Sequence, residues 1–113
     1  MTFPDDEVQE LARLHPGVRR STEAGVTYFL IPNLELPSGQ TPATTDALLC
    51  PTARDGYPSR LFLATTLSGG RGTNWNATQV RILERNWFAV SWKVRADLRL
   101  AQMVRAHLDA FRR

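Results

Sequence analysis

The feature that most constrains the fold is a run of strand-forming segments that lies between two amphipathic helical segments. Residues 26–32, 44–50 and 60–67 are dense in β-branched, aromatic and other apolar side chains, and a shorter segment at 18–21 precedes them. Short turn-forming sequences separate these segments, and connections of that length favour antiparallel pairing of neighbours. We therefore predict a four-stranded antiparallel meander sheet.

Both ends of the chain have the spacing of a helix. Residues 4–14 open with a proline and three acidic side chains, which suit a helix N-terminus, and Pro16-Gly17 follows the last apolar position. Residues 94–113 repeat apolar side chains at intervals of three and four. The order of helix, strands and helix predicts a single α+β domain over 1–113, with the sheet covered on one face.

Two stretches lack a regular pattern. Residues 68–73 are rich in glycine and are expected to form a flexible loop, because their spacing does not match that of a phosphate-binding loop. Residues 74–92 combine three tryptophans with polar side chains, so we predict an irregular segment with at most a helical turn at 79–84. Tryptophans this close together require burial or a partner, and we expect packing to account for at least two of them.

Composition excludes several classes of protein. The 113 residues include 42% apolar side chains and a single cysteine, Cys50, which excludes an internal disulfide and a cysteine-based zinc site. No apolar run approaches the roughly 20 residues of a membrane span, and the acidic N-terminus is unlike a signal peptide. We expect a cytoplasmic protein with no membrane contact, no metal and no cofactor. Cys50, at the end of an apolar strand, and His107, on an apolar helix stripe, are predicted to be structural and buried.

Charge is unevenly distributed along the chain. The formal net charge is +3, and residues 81–113 carry eight basic and three acidic side chains, whereas residues 1–12 carry four acids and no base. A basic helix of this kind is usually a solvated surface, and the alternative is a nucleic-acid interface.

The order of several short motifs resembles the ubiquitin-conjugating (UBC) fold. Gly56-Tyr57-Pro58 precedes the apolar strand that contains Leu61 to Thr66, and Trp92 lies immediately ahead of the final helix. Over residues 8–112 the chain is similar to the small prokaryotic UBC-like proteins, family E type, of bacterial ubiquitin-like conjugation operons. The resemblance implies a UBC-like α+β fold, a ubiquitin-like protein or an activating-enzyme homologue as partner, and a role in antiviral defence.

Departures from the UBC pattern lie in the active-site segment. Counting back from Trp92 puts the expected cysteine near residues 83–85, where there is none, and of the His-Pro-Asn stretch only Asn76 matches. The single cysteine, Cys50, falls instead in the third predicted strand, within the sheet. The resemblance therefore implies a catalytically inactive variant that acts as a binding or adaptor subunit, with an acidic first helix that suits a basic partner surface.

The resemblance also implies a vestigial or partner-binding site. Its residues come from the turn before the fourth strand and from the segment 74–92: Tyr57, Asn74, Trp75, Asn76, Glu84, Trp87, Ser91 and Trp92. One alternative is an active enzyme that carries an oxoester on Ser91 or Thr78, although a hydroxyl needs a base that the sequence does not show nearby. Another alternative is a nucleic-acid-binding module that uses the arginines and tryptophans, which the acidic first helix disfavours.

Overall fold

The structure, a computed structural model, describes residues 3–69 and 74–112. It contains two α-helices, six strands and a final 3-10 turn in the following order: α1 (Asp5–Leu14), β1 (Arg19–Glu23), β2 (Val26–Glu35), β3 (Thr44–Cys50), β4 (Arg60–Leu63), β5 (Trp75–Ile82), β6 (Arg85–Val90), α2 (Leu100–Leu108) and the 3-10 turn (Asp109–Phe111). The predicted α+β class is confirmed, and residues 70–73 of the predicted glycine-rich loop lie outside the described residues.

The described strands form one antiparallel sheet in the order β1-β2-β3-β4-β6-β5. The strands β1 to β4 pair in chain order, but they belong to a sheet of six strands rather than the predicted four. The first turn lies where the sequence indicates. Ala24 and Gly25 have φ angles of 52° and 79°, and two successive positive values fit the tight turn that matches strand twist. The fourth strand is shorter than the predicted segment 60–67, since β4 already ends at Leu63.

The prediction of an irregular segment at 74–92, and with it the limit of four strands, was wrong. These residues form the β5–β6 hairpin, and residues 79–84 contain a strand end and a tight turn rather than a helical turn. Leu83 and Glu84 take φ angles of 51° and 63°, without the glycine or asparagine that normally announces such a turn. Gln79, with a φ of 52°, lies at a register shift that interrupts the alternation of apolar side chains.

The two helices pack on the same face of the sheet. Helix α1 agrees with the predicted span, but α2 begins at Leu100 rather than near residue 94. Its start is fixed by hydrogen bonds, because the backbone N–H of Leu100 donates to the Glu7 carboxylate at 3.2 Å. The N–H of Arg99, which is still extended, donates to the Gln102 side chain at 2.9 Å.

Apolar side chains form two buried clusters on opposite faces of the sheet, so the prediction of a sheet covered on one face was also wrong. The helix-side cluster joins both helices to β2, β3 and β4 through residues such as Leu11, Leu49 and Leu100. The hairpin-side cluster contains Leu48, Cys50, Phe62, Ile82 and Trp87. Within the described chain β6 pairs with β4 through Leu63 and Phe88 alone. This limited pairing lets the hairpin bend over the face that the helices leave uncovered.

We expect Trp87→Ala to lower the free energy of unfolding by about 3–5 kcal/mol, because it removes a large side chain that is 0% exposed from the centre of the hairpin-side cluster. Urea denaturation measures the loss. Leu14→Ala is the control, since Leu14 is 62% exposed and its truncation should change stability by no more than roughly 0.5 kcal/mol. Equal effects of the two substitutions would contradict the described packing of the hairpin.

Candidate functional site

Three polar side chains meet where the β4 start, the β5 start and the β6 end lie side by side. The Asn76 amide donates to the Tyr57 hydroxyl at 2.9 Å, and the Tyr57 and Ser91 hydroxyls are 3.2 Å apart. Asn76 and Ser91 are exposed and Tyr57 is partly exposed, so the three polar ends face solvent. Together with Arg60 and Asp55 we call this group the polar cluster.

Arg60 lies beneath the exposed members of the polar cluster and is only 3% exposed. One terminal nitrogen donates to the Asn76 side-chain oxygen at 2.6 Å and to the Val90 carbonyl at 3.0 Å. The other terminal nitrogen donates to the Asp55 carboxylate at 3.2 Å. The guanidinium also lies 4.4 Å from the centre of the Tyr57 ring. Arg60 therefore holds the cluster in place from below, since a buried cation requires this many partners.

Local backbone geometry positions the members of the cluster. Asp55 and Gly56 have φ angles of 55° and 86°, as the predicted turn requires, and Arg54 and Tyr57 exchange backbone hydrogen bonds of 2.9 Å across it. Beyond the end of β6, the N–H of Ser91 donates to the Asn74 carbonyl at 2.7 Å. This contact aligns Ser91 with the strand that carries Asn76.

Polar neighbours lower the pKa of Tyr57. The hydrogen bond with Ser91 is the main cause that holds the pKa of Tyr57 below the ordinary value of 10.0, and the hydrogen bond with Asn76 and the charge of Arg60 add to it. Desolvation and, to a smaller extent, the charge of Asp55 oppose this shift. The arrangement thus places a phenol with a lowered pKa in hydrogen-bond contact with a solvent-exposed serine hydroxyl.

A buried serine and histidine support the cluster from the helix side. The Ser59 hydroxyl and His107 Nε2 are 2.9 Å apart, and both residues are buried. Burial, together with the charge of Arg60, lowers the pKa of His107 to about 4, so the ring is neutral at physiological pH. The prediction of His107 as a buried structural residue is confirmed.

The structure brings together part of the set of site residues predicted from sequence. Tyr57, Asn76 and Ser91 interact directly, and Asn74 joins them through its backbone. Glu84 is exposed in the turn at the opposite end of the hairpin, where the neighbouring Leu83 N–H donates to the Glu23 side chain at 3.0 Å.

The three predicted tryptophans are packed into the structure. Trp75 stacks on Phe111 with ring centroids 5.9 Å apart. Trp92 donates from its indole to the Ala106 carbonyl at 3.1 Å, and Trp87 donates to the Ile82 carbonyl at 3.0 Å on the hairpin side of the sheet. The expectation that at least two tryptophans are explained by packing is confirmed.

Sequence reasoning missed Arg60 and Asp55 as members of the cluster. The available signal was a charged residue, Arg60, at the start of a strand whose following residues are all apolar. A buried charge in such a position needs polar partners, and Asp55 in the preceding turn was the nearest acid in the sequence.

Cys50 is 1% exposed in the hairpin-side cluster, which confirms its predicted burial. Its thiol lies 3.5 Å from the Thr52 carbonyl, within reach of a weak hydrogen bond. The single thiol of the chain is therefore shielded from solvent and takes no part in the described hydrogen bonds of the polar cluster.

Among the described residues, no three His, Cys, Asp or Glu side chains converge on a point where they could hold a metal ion. The helices in the described part of the chain are too short or too polar to cross a lipid bilayer. Comparison of the chain with protein-family models, with curated proteins and with solved structures found no match.

We expect stability to fall between pH 6.5 and pH 4, since His107 in the unfolded chain takes up a proton near pH 6.5, whereas the folded protein resists protonation down to about pH 4. The loss attributable to this group is on the order of 3 kcal/mol. Urea unfolding across this pH range measures it. His107→Gln should flatten the slope, whereas an unchanged slope would contradict the burial of a neutral ring.

The two tyrosines should titrate separately when absorbance at 295 nm is followed against pH. We expect a first midpoint below 10.0 from Tyr57 and a second above 10.0 from Tyr28, whose pKa is raised by burial. Ser91→Ala should move the first midpoint upward by removing the main hydrogen bond that favours the phenolate. Tyr57→Phe, as the control, should abolish the first transition. A first midpoint that stays in place in Ser91→Ala would argue against the hydroxyl contact.

Proposed function

We propose that this protein is a catalytically inactive UBC-like variant that acts as a binding or adaptor subunit for a ubiquitin-like protein or its activating enzyme in a bacterial conjugation system. The observation that carries the proposal is the burial of the single thiol. Cys50 is 1% exposed between the sheet and the hairpin, so it has no access to a thioester partner.

The order of elements supports the resemblance on which the proposal rests. A first helix and four consecutively paired antiparallel strands follow one another, as the UBC-like reading expects, and two further strands lie between them and the final helix. The Tyr57-Pro58 segment directly precedes β4, and Trp92 precedes α2. The β5–β6 hairpin occupies the segment where a conjugating enzyme carries its active site.

The residues at the tip of the hairpin also support the proposal that the protein does not transfer a ubiquitin-like protein. Residues 83–85, where the resemblance expects the nucleophile, form the tip of the hairpin and hold Leu83, Glu84 and Arg85. Leu83 and Glu84 have no hydroxyl or thiol, and Arg85 instead pairs with Asp46 at 3.1 Å. The polar cluster lies at the other end of the same hairpin, so the expected position of the thiol is separated from the hydrogen-bonded hydroxyls of Tyr57 and Ser91.

Three of the four acids of α1 are engaged within the protein, which changes the expected role of that helix. Asp6 and Glu10 pair with Arg99 at 2.9 Å and 3.0 Å, and Glu7 accepts the hydrogen bond from Leu100. The hydrogen bond with Arg99 holds the pKa of Asp6 below its ordinary value. Since these carboxylates already have partners, we place the contact with a binding partner elsewhere than on the acidic face of α1.

The contact between Tyr57 and Ser91 favours a second candidate function, an oxoester-forming enzyme. In that step Ser91 Oγ attacks the carbonyl carbon of a thioester on the activating enzyme, and the new C–O bond replaces the C–S bond. The Ser91 proton passes to the Tyr57 oxygen while the Tyr57 hydroxyl proton passes to the departing thiolate. Tyr57 supplies the base that is not evident from the sequence, and Arg60 and Asn76 hold it in place.

One reconstitution separates the two candidates. The protein is mixed with ATP and with the ubiquitin-like protein and activating enzyme of its source organism, and the products are resolved on denaturing gels with and without reductant. We expect no covalent adduct, because the thiol is buried, and a stable non-covalent complex with one of the two proteins by size-exclusion chromatography.

Two matched variants make the outcome decisive. A reducible adduct that is lost in Cys50→Ala would overturn the adaptor proposal. An adduct that resists reductant and is lost in Ser91→Ala, but kept in Cys50→Ala, would establish the oxoester enzyme in its place. The absence of both adduct and complex would contradict both candidates.

A further inference from the structure

Strand β1 lies at one edge of the sheet, and no described residue pairs with its open side. The sheet order is β1-β2-β3-β4-β6-β5, so β1 pairs with β2 alone. The pairing keeps one continuous register over all five residues, from Arg19 to Glu23. The strand at the opposite edge, β5, instead has two register shifts in its pairing with β6. Bulges of that kind blunt an edge, whereas a regular edge strand can accept a further strand.

The turn that follows β1 fixes which backbone groups face the open side. Glu23 directly precedes the two-residue turn, and the carbonyl at that position accepts from the N–H of the residue after the turn. Backbone groups of successive residues in an antiparallel strand point alternately toward and away from the paired strand. Glu23 and every second residue before it therefore direct N–H and C=O toward β2. Arg20 and Thr22 direct theirs to the open side, where another strand can bond to them.

Two opposite charges at the ends of β1 have no ion-pair partner in the described chain. Arg19 and Glu23 project to the same face of the sheet, because they are four positions apart in a strand. Their Cα atoms lie about 13 Å apart. On this face the Leu83 N–H donates to Oε1 of Glu23, which leaves the second carboxylate oxygen available. Arg20 projects to the other face, where its guanidinium lies 5.7 Å from the centre of the Phe29 ring.

We propose that β1 pairs in antiparallel fashion with β1 of a second copy of this chain, in a register centred on Ser21. Arg19 then lies opposite Glu23 of the partner subunit, and the same pair recurs at the other end of the strands. Arg20 lies opposite a neutral residue, Thr22 of the partner subunit, so no like charges face each other. The outward backbone groups of these two residues also meet, and they form the new ladder. The contact uses the same five residues in both copies, as a two-fold interface requires.

Other registers of the same two strands are less favourable. A register centred on Arg20 sets the two arginines directly opposite each other, which destabilises a strand pair. A register centred on Thr22 moves Arg19 beyond the end of the partner strand. Pairing Arg20 with Ser21 would set an outward backbone group against an inward one. An unrelated extended segment could satisfy the backbone of β1, but β1 itself also supplies a base and an acid at the spacing that its side chains require.

The dimer should be weak and reversible. Five residues from each copy take part, compared with the roughly 20–30 on each side of a standard interface. We therefore expect a Kd on the order of 100 µM. Self-association is independent of the UBC-like proposal, because it is measured on this protein alone, whereas the reconstitution described above tests contacts with other proteins.

Sedimentation equilibrium of the whole chain from about 10 µM to about 1 mM measures the association. We expect the weight-average mass to rise from the 12.7 kDa of one chain toward that of two. Arg19→Glu and Glu23→Arg should each weaken association at least roughly tenfold, because each sets like charges opposite each other at both ends of the paired strands. An equimolar mixture of the two variants should associate again, since one supplies only acids and the other only bases at the paired positions.

Three further variants test the backbone contact and the location of the interface. Thr22→Pro removes an outward N–H but no bond to β2, so we expect a folded monomer, whereas Thr22→Ala should associate like the unaltered protein. Arg81→Glu reverses an exposed charge on β5 and should leave association unchanged. Circular dichroism shows whether each variant is folded. In the unaltered protein, hydrogen exchange of the Arg20 and Thr22 amides should slow as the concentration rises.

Four results would overturn the proposal. They are a mass that stays at 12.7 kDa up to about 1 mM, equal weakening by Arg81→Glu, a mixture of the two charge variants that associates no better than either alone, and full association of a folded Thr22→Pro variant. If the chain stays monomeric while an extended peptide of alternating valine and threonine slows exchange at Arg20 and Thr22, the edge belongs to a strand of another protein instead.

Discussion

A buried arginine is the interaction on which most of the described site depends. Arg60 opens β4 at the point where the preceding turn, β5 and the end of β6 meet, and its guanidinium has a partner from each of these segments. Removing a charge from water is costly unless such partners are present, so the three segments are held together by the requirement to satisfy one cation. The same cation lies against the Tyr57 ring and adds to the effect of burial, which is the main cause of the lowered pKa of His107. The positions of the exposed hydroxyls of Tyr57 and Ser91 therefore depend on a charge that solvent barely reaches.

The β5–β6 hairpin has the second large influence on function, because it closes the face of the sheet that the helices leave uncovered. By burying Trp87 against Phe62 and Leu48, it creates a second cluster of apolar side chains and encloses Cys50 within it. Packing therefore shields the thiol from solvent, whatever its neighbours in sequence. A small chain gains stability from this arrangement, since both faces of its sheet bury apolar surface.

Charged side chains near the two ends of the chain hold the two helices together, which the amino-acid composition does not reveal. The acids of α1 and the start of α2 form a set of contacts in which Arg99 joins Asp6 and Glu10, and the Glu7 carboxylate accepts from the first N–H of α2. Helix N-termini attract carboxylates because their first N–H groups have no partner within the helix. These contacts join the start of α1 to the start of α2 and use three of the four acids of α1.

Elements with local signals could be predicted from the amino-acid sequence alone. The α1 span, the first four strands, the turns at Ala24-Gly25 and Asp55-Gly56, and the burial of Cys50 follow from apolar spacing, turn chemistry and propensity within short windows. Only the tertiary structure decided that residues 74–92 form a hairpin, because Leu83 and Glu84 turn without a glycine and the bulge at Gln79 hides the alternation. It likewise decided that Tyr57, Asn76 and Ser91 meet, since these residues are far apart in the chain and are joined by a buried charge whose partners depend on strand order.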